Sequence, residues 1–520
     1  MHNKNSEIMP QYSDNNKRIA KNTLLLYVRM LFMMVVSLYT SRIILDTLGV
    51  RDFGLYNVVA GFVTMFMFIN NAMASATQRY LNFELGKNDA ARLRDVFSTS
   101  VNIHAVISLI ILLLGETVGL WFVHTQLTIP DGRMDAVLWV YQCAMTSTCV
   151  LVMSVPYNAA IIAHEKMGAF AYISVAEVTL KLLIAYLLTI GNFDKLKLYA
   201  ALMLAVQVLV MFIYRRYSIK HFEETRYRWV WDRSLFKEMA GFAGWSLFGN
   251  LAAVAFTQGV NVLLNIFFGP AVNAARGVAV QAQNAIMNFC RNFQMALNPQ
   301  IVKLYASGEL GSMRYLIYRS TKFSFFLLLL LSLPVLVEAD FILRLWLRIV
   351  PEHAVAFVRI VLCISLVDAI GNPLITAAQA NGHIRKYQAV VGGILLGIVP
   401  VSYVVLKLGA PPVSVFVVHL LMAVLAHVSR VWMVRPMISM RISEYMVNAI
   451  LPLLYVCVPA VLISVVAFYT IPSGMLGFLA VCLVCALSVI VFTYCIGFDP
   501  REREFVKGKV ITMLNKMRKR

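Results

Sequence analysis

The chain has 520 residues, of which 60% are apolar and 14% charged, with a formal net charge of +20. A soluble domain averages roughly 45–50% apolar and about 25% charged residues, so this composition excludes a water-soluble globule, a disordered chain and a disulfide scaffold. It points to a membrane protein, in which an excess of Lys and Arg is read first as topology, and no nucleic-acid partner is expected.

Residues 1–22 are polar and basic and read as a cytoplasmic N-terminal segment. Fourteen apolar runs follow, at 23–45, 54–78, 96–123, 135–163, 168–190, 196–214, 240–268, 271–299, 316–340, 352–380, 387–406, 412–434, 447–469 and 475–497. Each is long enough to cross a hydrocarbon core of about 30 Å at 1.5 Å per residue. The first run contains Arg29 and ends in TSRIILD, which is unlike a cleaved signal peptide. The expected fold is therefore an all-α polytopic membrane protein of about fourteen transmembrane helices.

Fourteen spans put both termini on one side. With basic residues near a span end counted with the adjoining connection, 33 of the 46 Lys and Arg fall on the terminal side and 9 on the other, leaving Arg29, Lys181, Arg291 and Arg359 inside spans. That bias places both termini in the cytoplasm. The longest connection, 215–239, is basic and separates 23–214 from 240–434, six spans each. The last two spans cover 447–497, and 498–520 form a basic cytoplasmic tail. Its Val506, Val510, Met513 and Met517 share one helical face, which fits a helix lying on an anionic leaflet or a merely solvated tail. No connection is long enough for a soluble catalytic domain of about 50 or more residues.

The two sets of six resemble each other. LGVRDFGLYNV (48–58) aligns with FGPAVNAARGV (268–278) at an offset of 220, and ELGKNDAARLRDVF (84–97) aligns with SGELGSMRYLIYRS (307–320). Six is even, so both copies share one orientation. The repeat is parallel, and sites in such folds lie between the halves.

Polar stripes run inside the apolar spans. Asn57, Thr64, Asn71 and Gln78 share one helix face in the second span, and Gln281, Asn284, Asn288 and Arg291 do so in the eighth. Ser37 and Ser41 in the first span are matched by Thr257 and Asn261 in the seventh, with Asn265 one turn on. Hydrogen bonds between packed helices explain one or two polar residues per helix. Stripes of this length point to a central water-filled cavity lined by spans 1, 2, 7 and 8.

Charges within spans cost about 2.5–3.5 kcal/mol each on insertion scales and tend to serve function. Arg29 and Arg291 both fall in the cytoplasmic half of their spans. Facing one wet cavity they suit a phosphate-bearing ligand; otherwise each snorkels to the interface. Glu177 and Lys181 have the spacing of an intrahelical ion pair and are also candidates for ion coupling or cavity charge. Asp368 in the tenth span reads either as a protonatable coupling site or as a packing group.

The eight Cys lie in apolar runs, and Cys482-x-x-Cys485 sits within LAVCLVCALS. Neither a disulfide nor a metal site is expected, and no cofactor. There is no phosphate-cradling loop, nucleophile elbow or His–Glu metal motif, so the chain is not read as an enzyme.

The segments SRIILDTLGVRDFGLYNVVAGF (41–62), QRYLNFELGKND (78–89), GPAVNAARGVAVQ (269–281) and NPQIVKLYASGEL (298–310) resemble the multidrug/oligosaccharidyl-lipid/polysaccharide flippase superfamily, and within it the O-antigen-type, Wzx-like polysaccharide flippases. The resemblance implies two six-helix lobes around a central cavity plus two further helices. It also implies alternating-access transfer of undecaprenyl-pyrophosphate-linked oligosaccharide across the bacterial inner membrane for surface polysaccharide synthesis. The polymerase and glycosyltransferases of the pathway are then possible partners, beside membrane lipid. Related lipid flippases carry cavity arginines on the first, second and eighth spans. Arg29 and Arg291 match the first and eighth, whereas the second has Asn71 at the repeat-equivalent position. The alternative is a cation-coupled multidrug exporter on the same architecture. A non-transporting scaffold needs no hydrophilic stripes.

Overall fold

The computed structural model describes residues 4–64, 67–125, 129, 132–189, 194–347, 350–500, 502–504 and 507. Side chains of residues 4–20 and of scattered positions between 38 and 71 lie outside that description. Every regular element among the described residues is a helix.

The helices are α1 Lys4–Thr64, α2 Met67–Lys87, α3 Ala90–Thr125, α4 Met134–Ala163, α5 Met167–Leu187, α6 Lys195–His221, α7 Arg233–Phe268, α8 Pro270–Ala306, α9 Leu310–Val337, α10 Ala339–Trp346, α11 Ala354–Asn381, α12 Arg385–Lys407, α13 Val413–Ile438, α14 Ile442–Thr470 and α15 Met475–Gly497. Eleven of them are long and apolar enough to cross a membrane. The other three expected spans fall on α1 before Gly49, on α1 after Gly49 continuing into α2, and on α8. These are the polar-striped segments; α8 carries Asn, Gln and Arg throughout its length.

Local chemistry sets several boundaries. Gly49, at φ +76° and ψ +163°, breaks α1 into two arms. Asp89 caps α3 by accepting from the Arg92 N–H at 2.9 Å, and Asp194 caps α6 through the N–H groups of Leu196 and Lys197. Asp232 caps α7 through the N–H groups of Ser234 and Leu235, at 2.8 and 3.0 Å.

The chain forms two compact units. The first comprises 1–251 with 302–307, and the second 252–301 with 308–520. In the first unit the basic 215–239 segment is packed rather than free. Asn102 of α3 donates to Val230 O at 3.0 Å and accepts from the Tyr227 hydroxyl at 2.8 Å, while Arg92 pairs with Asp232 at 3.1 Å.

The second unit has two cores. One gathers Leu264, Phe357, Leu362 and Ile398 from α7, α11 and α12. The other gathers Leu328, Leu329, Val456, Val481 and Cys485, seating α14 and α15 on α9. Large apolar side chains are also exposed along these helices, among them Leu421, Val428, Leu462 and Leu483. Such coverage suits hydrocarbon rather than water.

Candidate functional site

In the first unit Arg29 is committed to helix packing. Its guanidinium lies 4.4 Å from the centre of the Phe170 ring and donates to Ser174 Oγ at 3.4 Å, both on α5. One turn beyond Ser174, Lys181 donates to Glu177 at 2.6 Å as an i, i+4 ion pair. Arg29 of α1 thus contacts α5 about one turn before the Glu177–Lys181 pair. Ser37 is exposed and Gln78 half-buried. The side chains of Ser41, Asn57, Thr64 and Asn71 lie outside the described residues.

In the second unit α8 carries two polar faces with different fates. Gln283, Gln294 and Asn298 face α9 and α11. Gln283 donates to Ser365 Oγ at 2.9 Å, and Gln294 donates to Ser324 Oγ at 3.0 Å and to Ala369 O at 3.1 Å. Asn372 in turn donates to Gln294 Oε1 at 2.8 Å, and the Thr376 hydroxyl donates to Asn298 Oδ1 at 3.1 Å. These bonds hold helices together.

Gln281, Asn284, Asn288 and Arg291 occupy the other face. All four are exposed, and none of their side chains is hydrogen-bonded among the described residues. Helix packing therefore does not use them. On α7, Asn261 accepts from Arg276 at 3.4 Å and Asn265 is exposed.

Two charged residues in this unit escape a tally of charges by loop. Arg276, which that tally assigns to the connection after the seventh span, lies inside α8 and donates to Thr257 O at 2.9 Å. Arg430, assigned to the connection after the twelfth span, is 6% exposed on α13. Its terminal nitrogen stands so close to Gly371 of α11 that a Cβ there would be 2.8 Å away. Its Nε has no hydrogen-bond partner among the described residues. Asp368, three residues before Gly371 on α11, lies within electrostatic range of Arg430 and Arg291 but forms an ion pair with neither among the described residues. The signal for Arg430 is in the sequence, since AHVSRVW is apolar on both sides of the charge. Arg359 has a local role: it donates to Leu336 O and Val337 O at the end of α9.

No protein-family profile matches the chain, and no curated protein matches it. Solved structures do. An outward-facing multidrug resistance MATE family transporter of the MOP superfamily aligns with a TM-score of 0.69 at 13% identity, covering 82% of this chain and 96% of its own. A MATE structure in the straight conformation gives the same values. A MOP superfamily transporter from Pyrococcus furiosus, described as having a binding pocket of reverse polarity that suggests a different function, aligns at 0.65 and 12%, covering 81% of this chain and 96% of its own. The chain therefore has the polytopic all-helical fold of the MATE transporters.

Proposed function

We propose that the chain is a membrane transporter working by alternating access, and that the Gln281–Asn284–Asn288–Arg291 face of α8 lines its substrate path. That face carries the proposal. Three amides and a guanidinium, exposed and unbonded on a membrane-length helix, are costly against hydrocarbon and are satisfied by water or a polar substrate. The charge bias of the connections supports a plasma-membrane protein with both termini in the cytoplasm.

Two substrate classes have support. The cations Arg276 and Arg291, together with the sequence resemblance, favour undecaprenyl-pyrophosphate-linked oligosaccharide, flipped across the bacterial inner membrane alongside the enzymes that build and polymerise it. Asp368, a carboxylate inside α11 beside Arg430, favours a cation-coupled small-molecule exporter. One fold relative is described as a multidrug resistance transporter, and the MATE likeness backs this second reading at least as well as the first.

Two hosts separate them, one stripped of its drug pumps and one lacking its own glycan flippase. Drug resistance without restored surface glycan establishes the exporter; restored glycan establishes the flippase. In either, Arg291→Ala is expected to abolish activity while the protein still inserts at normal levels. Full activity of that variant would remove α8 from the path.

A further inference from the structure

The second unit holds a cavity of about 440 Å³ where the starts of α9 and α14 meet the end of α15. That lies within the roughly 300–1,000 Å³ range of small-molecule sites. Two π-helical turns, Met446–Ile450 and Thr493–Gly497, contribute to its wall, and such turns recur at functional sites.

Some of the charges around the cavity are already paired. Glu502, 2% exposed at its side chain, binds Arg319 at 3.1 Å and Lys322 at 2.8 Å. Asp499 accepts the Glu502 N–H at 2.8 Å.

Three charges lack an ionic partner among the described residues: Asp499, whose carboxylate accepts only the Glu502 N–H and, at 3.5 Å, the Tyr315 hydroxyl, and two of opposite sign, Arg314 and Glu444. Arg314 spends one terminal nitrogen on Ile438 O and Ser439 O, at 3.2 and 2.9 Å, and no carboxylate pairs with it among the described residues. Glu444 receives the Tyr318 hydroxyl at a long 3.4 Å and pairs with no cation among the described residues. Both line the same cavity, yet no ion pair joins them. A cation and an anion held apart across a cavity fit a ligand that carries both signs.

The rim identifies the source. Met446, Val447 and Ile496 are 42%, 59% and 45% exposed beside the cavity, and the site lies within about two turns of three span ends, at headgroup depth. We infer that this cavity binds the headgroup of a zwitterionic phospholipid with a primary amine, a phosphatidylethanolamine. Arg314 takes the phosphate through its remaining N–H donors, and Glu444 accepts from the ammonium. A choline headgroup has no N–H to give Glu444. The inference does not depend on what the chain transports.

Native mass spectrometry of the full chain, released from mixed micelles of equimolar dioleoyl-phosphatidylethanolamine, -phosphatidylcholine and -phosphatidylglycerol, tests it. One retained phosphatidylethanolamine is expected, favoured at least tenfold over either competitor. Glu444→Gln should erase the preference over phosphatidylcholine, and Arg314→Gln should lose retention. Equal retention of phosphatidylethanolamine and phosphatidylcholine, or stronger retention of phosphatidylglycerol, overturns the assignment, as does a Glu444→Gln protein with unchanged selectivity. Displacement by an equal concentration of O-phosphoethanolamine would assign the site to a soluble zwitterion and overturn the lipid. Should Arg314→Gln fail to fold, the wild-type competition and Glu444→Gln still decide.

Discussion

Gly49 and Gly269, 220 residues apart, share one backbone dihedral: φ is +76° at the first and +79° at the second. Each breaks the helical path ahead of a polar-striped segment, Gly49 inside α1 and Gly269 between α7 and α8. Among the described residues, no atom lies within 4 Å of a Cβ built on either. Alanine there meets no clash with the described residues, so its cost is conformational, about 1–3 kcal/mol at each site. Thermal unfolding in detergent should register similar losses for Gly49→Ala and Gly269→Ala. A loss at only one would mean that the two breaks are not equivalent.

Those glycines also show what the sequence reveals. They sit at matching positions of LGVRDF and FGPAVN, so the repeat alignment pairs two residues that turn out to share a dihedral angle. The run lengths likewise place fourteen helical segments, because hydrocarbon thickness imposes one length on all of them. The polar side chains are less legible. Helical spacing groups Gln281, Asn284, Asn288 and Arg291 on a face, but it does not say which polar face of α8 is packed, since Gln283 and Gln294 look alike in sequence and are bonded to α9 and α11. Arg29 and Arg291 read as a pair, yet only tertiary packing distinguishes a guanidinium stacked on Phe170 from an exposed one. Tallying charges by loop also hides Arg430, because a residue near a span end counts as topology until a neighbouring helix is seen to cover it.

The tail begins with a tie to the second unit. Asp499 and Glu502 exchange hydrogen bonds at 2.9 and 2.8 Å, a reciprocal cap, while the Glu502 carboxylate is buried against Lys322 and Arg319. Glu502→Ala leaves Lys322, 6% exposed at its side chain, buried without its carboxylate. The expected cost is about 3–5 kcal/mol, read as a fall in melting temperature of the purified chain. Glu502→Gln, which keeps one acceptor oxygen but turns the other into a donor and loses the charge, should fall between wild type and Glu502→Ala. A wild-type melting temperature for Glu502→Ala would mean that the tail contributes no stability.

Glu224, in the segment between α6 and α7, binds His164 at the end of α4. Burial is the largest single influence and would raise its carboxyl, but the hydrogen bond from His164, the Glu224 backbone N–H and the nearby His164 and Arg94 together outweigh it and leave the group below the usual carboxylate range. A depressed folded value means that the carboxylate stabilises the fold above the unfolded-chain value of about 4.3, and that this is lost as pH falls through the folded value. The stability gap between wild type and Glu224→Gln should therefore be constant at neutral pH and close below about pH 4. Melting curves across that range check it; a gap that persists at low pH would assign the effect to packing.

Arg430 and Gly371 make the sharpest test of the proposed coupling site. A methyl on Gly371 would meet the tip of Arg430 at 2.8 Å rather than any backbone atom. The tip of a flexible side chain can move, so Gly371→Ala should cost little stability compared with the roughly 1–3 kcal/mol of a rigid overpacked core. The guanidinium must nonetheless shift from its place near Asp368, changing the field at that carboxylate. The expected outcome is a melting temperature near wild type with transport reduced at least tenfold, and a similar transport loss for Asp368→Asn. If Gly371→Ala transports normally while Asp368→Asn does not, Asp368 acts without Arg430, and the arginine serves only to fill the space between α11 and α13.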